Sequence, residues 1–337
     1  MEQVTEQALP DSQDSSSLGI PHLKRFWHKH QLSKLGQLDQ GLQKQEWPLD
    51  LILIDELNLG LEPAMTKVYQ SSRLSDFESF VLSKNDGCIN SDVVQRLEKA
   101  VMPAASLSGQ KDHVESVLTD QQMMFWQENG YIVIPSVLTQ QECDEALEEI
   151  GTFLNFSLQD PGSWYLDHDD KQLIMVQFYD GLIQKKIRAK KNIRAVFAQI
   201  WQTNHLTVTL DRVSVNPPET ESWRFPGPSI HWDMDHFNPP IPFRTQGLIY
   251  LTDTAENQGA FSCVPGFHLQ IDDWLSSLPA DVDPQNQNWS EFNVKPIAAK
   301  AGDLIIWHHA LPHGSSPNVA QSPRVVQYLN MYPLCDS

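Results

Sequence analysis

The chain has 337 residues, 40% hydrophobic and 20% charged, enough for one large domain with a smaller one or for two of ordinary size. Its formal charge is −19, from 43 acidic against 24 basic residues, which argues against a nucleic-acid or anionic-membrane surface, since either needs a basic footprint. Four cysteines, Cys88, Cys143, Cys263 and Cys335, show no CxxC pairing. Neither a zinc site nor a disulfide framework is expected, and reduced, mostly buried thiols in a cytoplasmic setting are the default.

Residues 1–18 are rich in Gln, Ser, Glu and Asp and are expected to be a disordered tail. They carry no basic stretch ahead of an apolar one, so no signal peptide is expected. No apolar run approaches the length needed to span a bilayer. From Pro21 the pattern turns helical: Leu23, Phe26 and Trp27 make one apolar stripe, and Leu49 to Leu61 form a denser segment ended by Gly60 and Pro63. Ser75 with Glu78 reads as a capping box, and Ser91 as the start of a further helix. Residues 19–102 are therefore expected to form an all-helical accessory domain, with His22, His28 and His30 at its surface. A linker follows over 103–117.

A second domain is expected over 118–337. Thr119 is a good N-cap, Tyr131 to Pro135 reads as a buried strand, and Thr139 with Glu142 forms a capping box. The basic run from Lys185 to Arg194 reads as the solvated face of a helix rather than an anion site. Strand-like runs then dominate, at 206–210, 247–251, 260–264, 303–307 and 324–329, with turns at Asn216-Pro217-Pro218, Asn257-Gln258-Gly259, Pro265-Gly266 and Ala301-Gly302. Many short strands separated by turns predict a mainly β fold, a double-stranded β-helix or cupin-like jelly roll with flanking helices.

The chemistry centres on Ser229 to Asn238. His231 and Asp233 stand two apart, so in an extended strand both face one way and both could reach one metal ion. His313 is the candidate third ligand, and two histidines with one carboxylate are the facial triad of non-haem Fe(II) oxygenases. Asp235 shares the face of His231 and Asp233 and is the second choice of carboxylate, whereas His236 faces the other way. Arg324, beyond His313, offers a planar fork suited to a carboxylate, which points to a dicarboxylate co-substrate. His308 and His309 stand too close to His313 to replace it. Trp232, Phe237, Tyr250 and Trp307 could flank a substrate, although barrel aromatics are more often core. His268 suits a structural hydrogen bond better than catalysis.

These residues carry a resemblance to the phytanoyl-CoA dioxygenase family of Fe(II)/2-oxoglutarate oxygenases. It spans Leu118 to the C-terminus, through the Asn-Gly-Tyr-Ile-Val-Ile-Pro segment ending at Pro135, His231-Trp232-Asp233, Glu256 to Ala260, Val264 to His268, Ala301 to Leu304, and Pro312 to Asn318 with Pro323-Arg324. The resemblance implies that His231, Asp233 and His313 hold Fe(II). It further implies that Arg324 pairs with the distal carboxylate of 2-oxoglutarate, that Ser315 bonds the same group, and that Gln246 reaches the co-substrate. The implied reaction uses O2 to oxidise a C–H bond of a small organic substrate, with succinate and CO2 as co-products. Related halogenases lack the carboxylate ligand, so Asp233 favours hydroxylation or another oxidation. The competing class is a non-catalytic metal- or 2-oxoglutarate-binding sensor or scaffold.

Overall fold

The computed structural model describes residues 9–102, 113–179, 181–227, 229–234, 237, 239–279 and 281–333, apart from the side chains of Gln40 and Lys44. These residues divide into two compact units. One takes those up to 114 with 201–210 and 332–333, and the other takes those of 115–200 and 211–331.

In the first unit lie α1 (Leu23–Lys34), α2 (Gln40–Glu56), α3 (Leu61–Gln70), α4 (Leu74–Ser83) and α5 (Ser91–Ala100). The α1 stripe of Leu23, Phe26 and Trp27 is buried in one cluster with Leu53, Leu57, Val68, Phe77 and Val81, and Phe26 stacks on Phe77 with ring centroids 5.8 Å apart. Burying each such side chain contributes about 1.5–3 kcal/mol, and that burial holds together helices too short to stand alone.

Three expectations for this region need correcting. Residues 9–18 are folded onto the unit: Arg25 Nη1 donates to the Pro10 carbonyl at 2.7 Å, and the Ser17 amide donates to Glu78 at 2.9 Å. Ordered backbone donors and acceptors thus supply what the polar composition lacks in apolar surface. Glu78 is thereby used away from α4, which starts at Leu74 with Arg73 as an N-cap that makes no side-chain bond. His22 and His30 are fully buried, because the buried Asp50 carboxylate needs donors. It accepts from His22 Nε2 at 3.0 Å, His30 Nε2 at 3.1 Å and Lys29 Nζ at 2.7 Å. Of the expected linker, residues 103–112 lie outside the described residues, as does Cys335.

The second unit opens with α6 (Asp120–Asn129), β1 (Tyr131–Ile134), α7 (Gln140–Leu154), β2 (Lys171–Gln172), β3 (Met175–Val176), α8 (Leu182–Arg188) and α9 (Lys191–Trp201). Capping boxes start α6 at Thr119 with Gln122 and α7 at Thr139 with Glu142. In the basic run, Arg188 is buried and donates to the Tyr179 carbonyl at 2.6 Å, so this run is not wholly a solvated face. The next strand, β4 (Leu206–Val208), belongs to the first unit, whereas sequence placed it among the barrel strands.

There follow β5 (Val213–Asn216), β6 (Thr245–Tyr250), β7 (Phe261–Cys263), α10 (Ile271–Ser277), β8 (Lys295–Pro296), β9 (Leu304–His308), β10 (His313–Ser315), β11 (Arg324–Tyr328) and β12 (Met331–Pro333), the last paired with β4. An antiparallel sheet runs β1-β9-β6-β11-β5-β3-β2, and a smaller one runs β10-β7-β8. Leu248, Tyr250, Ile305, Trp307 and Val326 from the large sheet share a core with Phe261 and Cys263 from the small one. The intervening residues Ile249, Leu304, Ile306 and Val325 are also fully buried, which is why these strands read as continuous apolar runs.

The expectation of a mainly β chain is corrected. Helix outweighs strand among the described residues, and the two sheets do not close into a barrel. The fold is mixed α/β, an antiparallel sheet flanked by helices. Cys88, Cys143 and Cys263 are free, the last two buried. Among the described residues no helix is long and apolar enough to cross a membrane.

Candidate metal centre

His231 and His313 meet across an isolated antiparallel bridge. The His231 amide donates to the His313 carbonyl at 2.8 Å and the His313 amide returns the bond at 2.9 Å. Gly314 makes this approach possible: a Cβ there would lie 1.8 Å from the Ser229 carbonyl oxygen and 2.6 Å from its carbon. Trp232, between the two sequence-adjacent ligands, is an anchor. Its Nε1 donates to the Ala310 carbonyl at 2.8 Å, and its ring sits among Phe237, Phe267, Trp274 and Trp289. Gln285 completes the clamp, accepting from the Trp232 amide at 3.1 Å and donating to its carbonyl at 2.8 Å. His231 and Asp233 are thus pinned by what holds the residue between them.

His231, Asp233 and His313 are the one set of three His, Cys, Asp or Glu residues, among those described, whose ligand atoms could share an ion; the atoms lie within 4.8 Å of one another. Asp233 Oδ1 is 3.4 Å from His231 Nε2, and Oδ2 is 3.5 Å from His313 Nε2. Each imidazole bonds through Nδ1 to the carbonyl two residues back, His231 to Ser229 and His313 to Leu311, both at 3.0 Å. A carbonyl only accepts, so each Nδ1 carries a proton and each Nε2 is the nitrogen left to face the centre, protonated where it donates to Asp233 and able to offer its lone pair to a metal ion. Desolvation by the surrounding atoms acts against charge on Asp233, whose side chain still reaches solvent, but the hydrogen bonds from His231 and His313 outweigh it and hold the carboxyl well below its usual range. Burial likewise opposes charge on His231, and Asp233 overcomes it, raising the imidazole above its usual value.

Beside the triad lies a buried cation. Arg324 opens β11 fully buried, and its guanidinium donates from Nη1 to Ser315 Oγ at 3.0 Å and from Nη2 to Ser214 Oγ at 2.8 Å. Its Nε has no hydrogen-bond partner, and no carboxylate among the described residues pairs with it. An uncompensated buried charge is costly unless an anion arrives to meet it. Ser315 follows His313 by two residues on β10, so both project from one face of that strand.

The structure brings His231, Asp233 and His313 together and seats Arg324 on Ser315. Gln246 is placed against the carboxylate ligand instead: its Nε2 donates to Asp233 Oδ2 at 2.7 Å, and its Oε1 accepts from Trp307 Nε1 at 3.0 Å. Asp235 and His236, the rival ligands, lie outside the described residues. His268 makes its structural bond from Nε2 to the Gln127 carbonyl at 3.1 Å. Burial pushes His308 down to about 3 and His309 down to about 4, so both are neutral at physiological pH. Sequence reading missed Ser214, whose signal was available: in Val213-Ser214-Val215-Asn216 the polar residues alternate onto one strand face. It also missed Gln285, which stands in a polar loop with nothing to mark it.

Two imidazoles and one carboxylate around a single point are the donor set of a mononuclear non-haem iron oxygenase. Residues 126–326 match the model of the family described as Phytanoyl-CoA dioxygenase (PhyH), and the chain belongs to that family. It is an Fe(II)/2-oxoglutarate-dependent dioxygenase by that membership and by its triad. A Dictyostelium discoideum protein provisionally named a phytanoyl-CoA dioxygenase is 21% identical over 259 residues, covering 62% of this chain and 74% of that one. Solved structures similar to this chain include SnoK, a non-haem alpha-ketoglutarate-dependent carbocyclase from nogalamycin biosynthesis, at 18% identity over 64% of this chain and 85% of that one, TM-score 0.47. HygX from Streptomyces hygroscopicus, with nickel and 2-oxoglutarate bound, is 17% identical over 64% of this chain and 88% of that one, again with a TM-score of 0.47.

Proposed function

We propose that this dioxygenase hydroxylates a C–H bond of a small organic substrate, at a site held between the two sheets of a jelly-roll core. The observation that carries the reading is the pairing of an intact triad with a buried arginine that lacks an anion. The donor set fits the implied metal, and the orphaned Arg324 Nε fits the implied co-substrate. His231 and His313 would hold Fe(II) through Nε2, and Asp233 through its carboxylate. Arg324, with Ser315 and Ser214, would receive the distal carboxylate of 2-oxoglutarate in charge-assisted hydrogen bonds. Gln246 keeps one amide N–H beyond its Asp233 bond, which the co-substrate could take.

With iron and 2-oxoglutarate in place, the oxidising power for C–H cleavage comes from O2, and succinate and CO2 leave as co-products. The chain's own contribution is positional. Trp307, Phe261 and Tyr250 form an apolar wall beside His313 and Arg324, with Phe261 to Trp307 centroids at 4.5 Å and Trp307 to His313 at 5.1 Å. Such a wall excludes water and strengthens every polar contact inside it. The first unit acts as an accessory domain, in a protein that works in the cytoplasm.

The test is succinate release from 2-oxoglutarate in air with Fe(II), followed by substrate screening. His231→Ala, Asp233→Ala and His313→Ala are each expected to abolish turnover while keeping the fold. Wild-type turnover in all three would overturn the assignment. A well-folded wild type that binds 2-oxoglutarate yet releases no succinate with any substrate would favour a sensor instead.

A further inference from the structure

We infer that Gln246 is a positioning residue that dictates which oxygen of Asp233 meets the metal. This rests on the reading of His231, Asp233 and His313 as the iron site. The orientation of the Gln246 amide follows from its neighbours. Trp307 Nε1 can only donate, so the oxygen it meets at 3.0 Å is the carbonyl Oε1. That leaves the amide nitrogen facing Asp233, whose ionised carboxylate can only accept, at 2.7 Å from Oδ2. Trp307 is itself 2% exposed and pressed against Phe261 and His313, so it cannot turn away. Gln246 and Trp307 are partners in the sheet register, on strands β6 and β9, so backbone pairing carries the relay.

Asp233 needs this support. Its side chain is 56% exposed and follows the bridge at His231 rather than lying within a named strand. Its backbone is pinned, but without the Gln246 amide the carboxylate could turn about its own bond, and a turned one would chelate the metal through both oxygens. With Oδ2 engaged by the amide, Oδ1 is the oxygen left for a single bond to the ion. A position that a second carboxylate oxygen would fill stays open. The Trp307–Gln246–Asp233 chain therefore governs how many positions of the ion the carboxylate takes, a property that the three ligands by themselves leave undetermined.

The experiment is a Co(II) titration of the purified protein, read by visible absorption, because the d–d bands of Co(II) strengthen as coordination number falls. Wild type, Gln246→Ala, Gln246→Met and Trp307→Phe are compared, with His313→Ala as the control for the site. Both Gln246 variants should bind Co(II) more weakly, on the order of ten-fold, and their bands should change in position and intensity as the freed Oδ2 joins the metal. Trp307→Phe should shift the spectrum the same way by less, and the Gln246→Ala/Trp307→Phe double variant should match Gln246→Ala alone. Gln246→Met keeps the side-chain volume and carries the test if the alanine variant misfolds. A Gln246 variant whose Co(II) spectrum equals that of wild type would overturn this role, whatever its affinity. A wild type that gives no Co(II) band, or one that survives His313→Ala, would overturn the iron-site reading itself.

Discussion

Replacing Arg324 by methionine separates a ligand-receiving cation from a structural one. In the unliganded protein the guanidinium is fully buried, bonded only to the hydroxyls of Ser315 and Ser214, and faces no carboxylate among the described residues. Replacing a whole buried ion pair by apolar side chains of similar volume is often neutral or stabilising by about 1–4 kcal/mol, and Arg324 has no ionic partner for the exchange to leave behind. The unliganded variant should therefore unfold no earlier than wild type. Binding is another matter. A carboxylate on Arg324 gains hydrogen bonds worth about 1.5–3 kcal/mol each. Losing a pair, after allowance for desolvation, removes about 3 kcal/mol of affinity, or about 150-fold at 1.4 kcal/mol per decade. With 2-oxoglutarate at a hundred times the wild-type Kd, ligand stabilises wild type by about 2.7 kcal/mol and the variant by about 0.3 kcal/mol. Calorimetry gives the Kd ratio, and urea unfolding with and without 2-oxoglutarate and Mn(II) gives the stabilisation. Equal affinity in the two proteins would refute the reasoning. So would a variant that is strongly destabilised without ligand and still gains the wild-type increment with it.

Gly314→Ala tests the bridge between the histidines. The new Cβ would fall 1.8 Å from a backbone oxygen rather than from a side chain that can swing away. Residues 229–231 must retreat, so the variant should lose about 1–3 kcal/mol of stability and bind Co(II) or Mn(II) more weakly; wild-type metal affinity would contradict the tight approach. The pH profile of stability tests the buried imidazoles. His308 and His309 titrate at about 3 and about 4 when folded and near 6.5 when unfolded. Between those limits the unfolded chain binds more protons, so their contribution is intact above pH 6.5 and is lost as pH falls toward 4. At pH 5.5 the pair should give an uptake of roughly two protons on unfolding, a slope of roughly 2.7 kcal/mol per pH unit. His231, whose value is raised, has the opposite sign, but its window lies above 6.5. Urea midpoints measured from pH 5 to 6.5 decide it: a flat profile would show that these imidazoles protonate freely in the native state.

The site was more legible than the fold around it. His231, Asp233 and His313 could be read because metal chemistry restricts both residue type and spacing, and because a strand puts positions i and i+2 on one face. The capping boxes at Thr139 and the start at Thr119 were legible for a similar reason, since they are local. What escaped was tertiary. His22 and His30 look like surface histidines until Asp50, from another helix, is buried between them. Ser75 with Glu78 has the form of a capping box, but Glu78 is taken by the backbone of Ser17. Leu206 to Leu210 has the composition of a barrel strand, but it falls in the first unit and its strand, β4, pairs with β12 instead of joining either larger sheet. The helices of residues 118–201 were partly visible through their caps, yet their weight against the short strands was not, so a mixed fold read as mainly β. Gln246 shows the same limit within the site. Sequence reading gave it a contact with the co-substrate, whereas its Asp233 bond depends on an indole from a neighbouring strand.

The most direct measurement is an anaerobic titration of the metal-free protein with Fe(II) and then 2-oxoglutarate, followed in the visible range, with O2 admitted at the end. A charge-transfer band is expected that needs both additions, is absent in Asp233→Ala, and decays on exposure to O2 as succinate forms. A well-folded wild-type protein that develops no such band would contradict the iron-site reading.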